Sequence, residues 1–224
     1  MFRHALAVLV AGLAVAGCSS GATATHPSTP EPVPASKLDG LLPGIAEVNA
    51  VMGTPMTPHQ AFSTTTDHRN LLPNLNCLGI WQIGETTIYG PSGFTGMRGQ
   101  VLREPDNENW DSLVVQAVVS YPSAAAAKKF FAGSADRWQN CSNHRVHMTV
   151  NGRALMTLTF GGLTKTDTEL TIPLNTSGGG VRSCQRVLAV DNNVIIDVSA
   201  CGQTIGNQAT SIASKIQARI SAVV

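Results

Sequence analysis

Cys184-Gln-Arg-Val-Leu-Ala-Val-Asp-Asn-Asn-Val-Ile-Ile-Asp-Val-Ser-Ala-Cys201 consists of two β-branched apolar runs on either side of Asp191-Asn192-Asn193. Asparagine tolerates positive φ, so Asn192-Asn193 suits a two-residue type I′ turn. That turn sets Asp191 opposite Val194 and, stepping outward along both strands, Cys184 opposite Cys201. The cysteines then occupy a non-hydrogen-bonded pair, whose Cα atoms lie about 4.5 Å apart, just inside disulfide range. A turn one residue longer would lose this match, so turn and bond support each other. Cys77 and Cys141 are left to pair, joining the loop after the first helix to the end of the second. The wide cysteine spacing and an exported context argue against free thiols or a metal set.

The same register sorts the two faces. Val187, Ala189, Val194, Ile196, Val198 and Ala200 share an apolar side that should face the core. Arg186, Leu188, Asp197 and Ser199 share the other side with the disulfide. Arg186 lies diagonal to Asp197, within reach of an ion pair. These two are the candidate polar pair of a cleft; the plainer alternative is a surface ion pair of little energetic weight.

Outward from the hairpin, 86–89, 94–102, 113–121, 146–150, 154–160 and 169–172 read as strands. Val114, Val115, Val118 and Val119 have the continuous apolar character of a sheet centre. Ser177 to Gly180 is a glycine-rich turn, and Gly90-Pro-Ser-Gly-Phe-Thr-Gly96 reads as a hairpin loop. Ile45, Val48 and Met52 form one helical stripe, with Pro43 suited to the helix start and Gly53 to the position beyond its end. A second helix opens at Pro122 and carries Phe130, Ser134 and Trp138 on one face. Ile205, Ala209, Ile212, Ile216 and Ile220 line the closing helix. The order helix, strands, helix, strands, helix implies an α+β fold with a mostly antiparallel sheet.

Before the domain, Met1-Phe2-Arg3-His4 is short and basic, and 5–16 lacks any polar side chain. Such a run is too short to span a ~30 Å hydrocarbon core but fits a signal peptide. Val15-Ala16-Gly17-Cys18 resembles the bacterial lipobox, in which a diacylglyceryl group is joined to the cysteine sulfur before cleavage. The chain has five cysteines, and assigning Cys18 to lipid leaves an even set for disulfides. Two or three acyl chains hold a protein firmly where one does not. Residues 18–36 are rich in Pro, Ser and Thr and cannot form a core. As extended chain this tether could lift the domain by up to roughly 55 Å; Thr23, Thr25, Ser28 and Thr29 could carry sugars.

The expected division is a signal peptide at 1–17, a lipidated tether at 18–36 and an extracytoplasmic domain at 37–224. The expected location is the outer face of the cell membrane, held by the lipid on Cys18. Net charge is +1 and charged residues make up 13% of the chain. There is no basic stripe to neutralise phosphates, so no nucleic-acid partner is expected.

Several of these segments together resemble a known family. They are Ile45-Ala-Glu-Val-Asn-Ala-Val-Met-Gly53, Val115-Gln-Ala-Val-Val-Ser-Tyr-Pro-Ser-Ala-Ala-Ala-Ala127, Trp138 ahead of Cys141, Cys184-Gln-Arg-Val-Leu188, and Asn192-Asn-Val-Ile-Ile-Asp-Val198 ahead of Ala200-Cys201-Gly202. The chain is similar to the PknH-like extracellular sensor domains of mycobacterial kinases and lipoproteins, over about residues 41–224. The resemblance implies a twisted antiparallel sheet with packed helices, two disulfides in chain order and a large cleft for a ligand. It departs at Val181-Arg182-Ser183, where a tryptophan is expected near the last cysteine pair; if that tryptophan lines the cleft in relatives, a different ligand is implied. No kinase domain is present, so phosphorylation is not implied.

No motif announces a catalytic residue, a metal site or a cofactor. His144 and His147, three apart on a strand, point to opposite faces and cannot readily share a metal. Ser63-Thr-Thr-Thr-Asp67-His68 places serine, acid and base side by side, but a triad is assembled by tertiary geometry. The glycine-rich stretches match neither GxxxxGK nor a strand-to-helix GxGxxG. Asn140-Cys-Ser and Asn175-Thr-Ser match glycosylation sequons. The expected function is non-enzymatic capture of a small molecule, glycolipid or cell-wall component. The alternatives are a protein-interaction module of an envelope enzyme or kinase and, least favoured, a hydrolase using His144, His147 and Asp67.

Overall fold

Strands β8 (Arg182–Asp191) and β9 (Val194–Gly202) pair antiparallel, with Asp191 opposite Val194 and Cys184 opposite Cys201. The Cys184–Cys201 disulfide is formed, with a Cα separation of 4.0 Å. Asn192 takes a φ of 48°, whereas Asn193 does not join it at positive φ, so the turn keeps its two-residue length without being type I′. Asn193 is committed elsewhere. Its buried amide oxygen accepts from Val33 N at 2.7 Å, and its nitrogen donates to the carbonyls of Val33 at 3.1 Å and Tyr121 at 2.7 Å.

The computed structural model describes residues 30–72, 74–178 and 182–224. The signal peptide, Cys18 and residues 18–29 of the tether lie outside the described residues, as do Gly179, Gly180 and Val181 of the glycine-rich turn. Val33, composed like a tether residue, is buried, and a 3₁₀ turn at Ala35–Leu41 buries Leu38 and Leu41.

The remaining strands are β1 (Thr57–Phe62), β2 (Gly96–Glu104), β3 (Ser112–Ser120), β4 (Arg145–Val150), β5 (Arg153–Phe160), β6 (Thr164–Lys165) and β7 (Glu169–Ser177). They form one antiparallel sheet in the order β1-β2-β3-β9-β8-β7-β5-β4, with β6 paired to β7. The helices are α1 (Ile45–Met52), α2 (Leu75–Trp81), α3 (Thr86–Tyr89), α4 (Ala124–Cys141) and α5 (Gln208–Ser221). The expected α+β architecture with packed helices and two disulfides is therefore present.

Several local expectations are corrected. Residues 86–89 form helix α3, not a strand, because the Glu85 side chain caps it by accepting from Thr87 N at 3.4 Å. Capping and packing here outweigh the β preference of Thr86, Thr87 and Ile88. Residues 90–96 are not a hairpin loop; a 3₁₀ turn at Gly90–Ser92 carries α3 onward to β2. Cys77 sits on helix α2, so the Cys77–Cys141 disulfide ties α2 to the last residue of α4. Strand β1, helix α2 and the first 3₁₀ turn carry too little periodicity to be read from sequence.

Both faces of the sheet centre are covered. Val187, Ala189, Val194, Ile196, Val198 and Ala200 pack with Ile212, Ile216 and Ile220 of α5. On the opposite face Leu188, Val190 and Ile195 pack with Phe130, Phe131 and Trp138 of α4. The side that carries Arg186, Leu188, Asp197 and the disulfide is thus a second core beneath α2, α3 and α4. Helix α5 lacks a side-chain cap on its own Asn207. Gln185 of β8 supplies one, its Oε1 accepting from Ala209 N at 3.0 Å and Thr210 N at 3.2 Å. Gln185→Ala should cost about 1–2 kcal/mol in denaturant unfolding by orphaning these buried donors.

Candidate ligand cleft

The pairing of the strands brings distant side chains to one surface. Arg103 lies opposite Leu113, Leu113 opposite Cys201, Cys201 opposite Cys184, and Cys184 opposite Leu174. This row crosses β2, β3, β9, β8 and β7 on the face opposite α5. Helices α2, α3 and α4 cover the Leu188 end of that face and leave the disulfide end as a trough. Trp81, the last residue of α2, with Gln82 and Ile83 after it, forms one wall, and Trp110 of the β2–β3 connection forms another.

The trough has two lobes. The more enclosed, of about 150 Å³, is floored by the Cys184–Cys201 disulfide, Leu113, Leu174 and Met156. The other, of about 320 Å³, reaches Phe62, Val101, Arg103 and His68. Gln82, Ile83, Leu113 and Val115 line both. Phe62 lies over Gly99, its cross-strand partner, where a Cβ would meet the ring Cζ at 2.1 Å. The missing side chain lets the ring settle at the rim.

Polar groups are placed around this apolar floor. The Arg182 guanidinium lies over the Trp110 ring, 4.3 Å from its centroid, and donates to the Trp110 carbonyl at 2.5 Å. Arg103 Nη1 donates to Glu108 at 2.9 Å, while its Nε is buried without a hydrogen-bond partner among the described residues. The His68 ring lies edge-on to Trp81 and its Nδ1 is 3.1 Å from Glu85 Oε2. Glu85 is fully buried; it also accepts from His68 N at 3.0 Å and from Thr87 Oγ1 at 3.2 Å. Backbone bonds from Thr66 N to Gly84 O and from Thr86 N to Thr66 O hold this loop against α3.

Arg186 and Asp197 form an ion pair, and each is 1% exposed, so they are neither a surface pair nor part of the cleft lining. Ile80, Tyr89 and Trp138 from the three covering helices enclose them. Arg186 Nε donates to Ile80 O at 2.9 Å, and Nη1 donates to Val187 O at 3.1 Å and Val198 O at 3.0 Å. The guanidinium lies over the Trp138 ring, 5.6 Å from its centroid. The Tyr89 hydroxyl donates to Asp197 Oδ2 at 2.6 Å. Burial, then the Asp197 charge, pushes the Tyr89 phenol well above its ordinary value of 10.0. An acid raised in the folded state keeps its proton while the unfolded chain loses it, so stability should fall as pH rises above about 10. Tyr89→Phe should flatten this alkaline limb in pH-dependent unfolding, at a cost of about 1–2 kcal/mol at neutral pH.

The other sequence candidates are not brought together. Asp67 pairs with Arg69, whose hydrogen bonds hold the carboxyl down at about 2, while His68 turns to Glu85. His147 meets Thr157 on the exposed β4–β5 hairpin, and His144 is exposed ahead of β4. Among the described residues no cluster of three metal-ligating side chains occurs, and no helix is long and apolar enough to cross a membrane. Sequence reasoning missed Trp81, Trp110, Arg103 and His68 as cleft residues. The one available signal was Trp110, an aromatic among the polar residues Asn109 and Asp111.

The family model described as PknH-like extracellular domain matches residues 33–219. Serine/threonine-protein kinase PknH of Mycobacterium bovis is 35% identical over 193 residues, covering 86% of this chain and 32% of the kinase. PknH of Mycobacterium tuberculosis strain H37Rv is 35% identical over 193 residues, covering 86% of this chain and 30% of the kinase. This chain therefore spans about a third of the length of these curated relatives. The crystal structure of the extracellular domain of PknH from Mycobacterium tuberculosis superposes with a TM-score of 0.79 at 34% identity, covering 86% of this chain and 98% of that one.

Proposed function

Because this chain belongs to the PknH-like extracellular domain family, we propose that it is a non-enzymatic binding domain that captures a small molecule, glycolipid or cell-wall component at the outer face of a membrane. The observation carrying this is the trough between Trp81 and Trp110, apolar at its floor and ringed by a few polar side chains. Ligand sites commonly have this make-up. The lipobox-like Val15-Ala16-Gly17-Cys18 supports tethering by a lipid on Cys18. Native mass spectrometry of the chain purified from its own host tests both halves. The expected results are a small-molecule adduct that is lost in Trp110→Ala and an acylated mature terminus at Cys18. A cleft that is empty in every preparation and silent to host lipid extracts counts against binding; an unacylated terminus counts against the tether.

A protein-interaction role is the second reading, favoured by the β4–β5 hairpin, where Val150 and Leu155 are exposed on the sheet's last strands. Loss of cross-links to envelope proteins in Val150→Ser/Leu155→Ser, with cleft binding intact, would select it.

A further inference from the structure

We propose that the cleft is selective for an amphipathic anion, a single carboxylate or phosphate head on an apolar tail. This rests on the reading of the cleft as a binding site. Among the described residues, the lining of the two lobes includes Arg103, Arg182 and His68 but no aspartate or glutamate. The carboxylates that meet His68 and Arg103 are already engaged. Glu85 is buried behind His68 and spends its oxygens on His68 and Thr87. Glu108 meets Arg103 from outside, its side chain 88% exposed against 17% for the arginine.

Arg103 Nε is the more specific mark, a buried donor with no acceptor among the described residues. Buried donors are nearly always satisfied, so an unpaired one at a cleft wall points to an absent partner. The acceptor that repays it best is anionic, because charge-assisted bonds are the strong ones. From Arg103 the row Leu113, Cys201, Cys184 and Leu174 runs across four strand spacings, which amounts to roughly 19 Å of apolar floor. A head held at Arg103 leaves that floor, walled by Trp81 and Trp110, to the tail.

The test titrates the full chain with decanoate, decyl glucoside and decyltrimethylammonium at monomeric concentrations, followed by calorimetry and by the fluorescence of Trp81 and Trp110. Decanoate should bind about tenfold or more tighter than decyl glucoside, the increment expected of one charge-assisted contact, and decyltrimethylammonium should bind weakest. Arg103→Gln should abolish the decanoate advantage and leave decyl glucoside binding within twofold. Decyl glucoside binding as tightly as decanoate to the unaltered chain overturns the charge selectivity and leaves the cleft a binding site. Failure of all three ligands to bind overturns the binding reading as well.

Discussion

Arg186→Met is expected to lower the unfolding free energy by about 3–5 kcal/mol. The substitution leaves the buried Asp197 carboxyl without its cation, with the Tyr89 hydroxyl as its remaining partner. It also orphans the carbonyl of Ile80, which the guanidinium now satisfies, and takes a second donor from the ladder carbonyls of Val187 and Val198. An intact pair is a different matter, because desolvating two charges offsets much of their attraction. The triple variant Arg186→Met/Asp197→Leu/Tyr89→Phe should therefore recover most of the loss. Urea unfolding followed by tryptophan fluorescence measures both. A single variant within 1 kcal/mol of the parent would show that the buried charge is solvated some other way, and a triple variant as weak as the single would point to packing.

Removing the Cys77–Cys141 bond is expected to cost about 4 kcal/mol, against about 3 kcal/mol for Cys184–Cys201. The difference follows from the loops they close, with sequence separations of 64 and 17 residues. The consequences should also differ in place. The Cys184–Cys201 strands are already held by the β8–β9 ladder, whereas α2 has seven residues and no ladder to fall back on. Cys77→Ala/Cys141→Ala should therefore loosen α2, and with it Trp81 and the cleft wall, before the sheet opens. Hydrogen exchange would show this as faster exchange confined to 75–83. Uniformly faster exchange, or an unchanged melting temperature, would contradict it.

The parts of the fold legible in sequence are those fixed by near neighbours. Asp191-Asn192-Asn193 sets the β8–β9 register, although Asn193 departs from the expected backbone to serve Val33 and Tyr121. The stripes of α4 and α5 mark long helices with one apolar face. Helix α3, only four residues long and rich in β-branched residues, offers no period to read. The cleft was hidden for a related reason. Its floor depends on Val115 lying opposite Ser199 and Leu174 opposite Cys184, and the β3–β9 contact joins strands far apart in the chain. Arg186 and Asp197 were legible as neighbours, but their burial depends on three helices whose docking onto that face no local pattern reveals.

Asn193 grips Val33 at the turn of the β8–β9 hairpin, whereas the floor of the trough lies at Cys184 and Cys201, toward the far end of the same strands. The seven residues from Cys184 to Asp191 put roughly 24 Å between the two. A leash drawn from Val33 toward a bilayer would seat the domain on its turn and hold the trough that far above the leaflet. A lipid still embedded in the underlying leaflet would then have to be pulled free of it before it could enter.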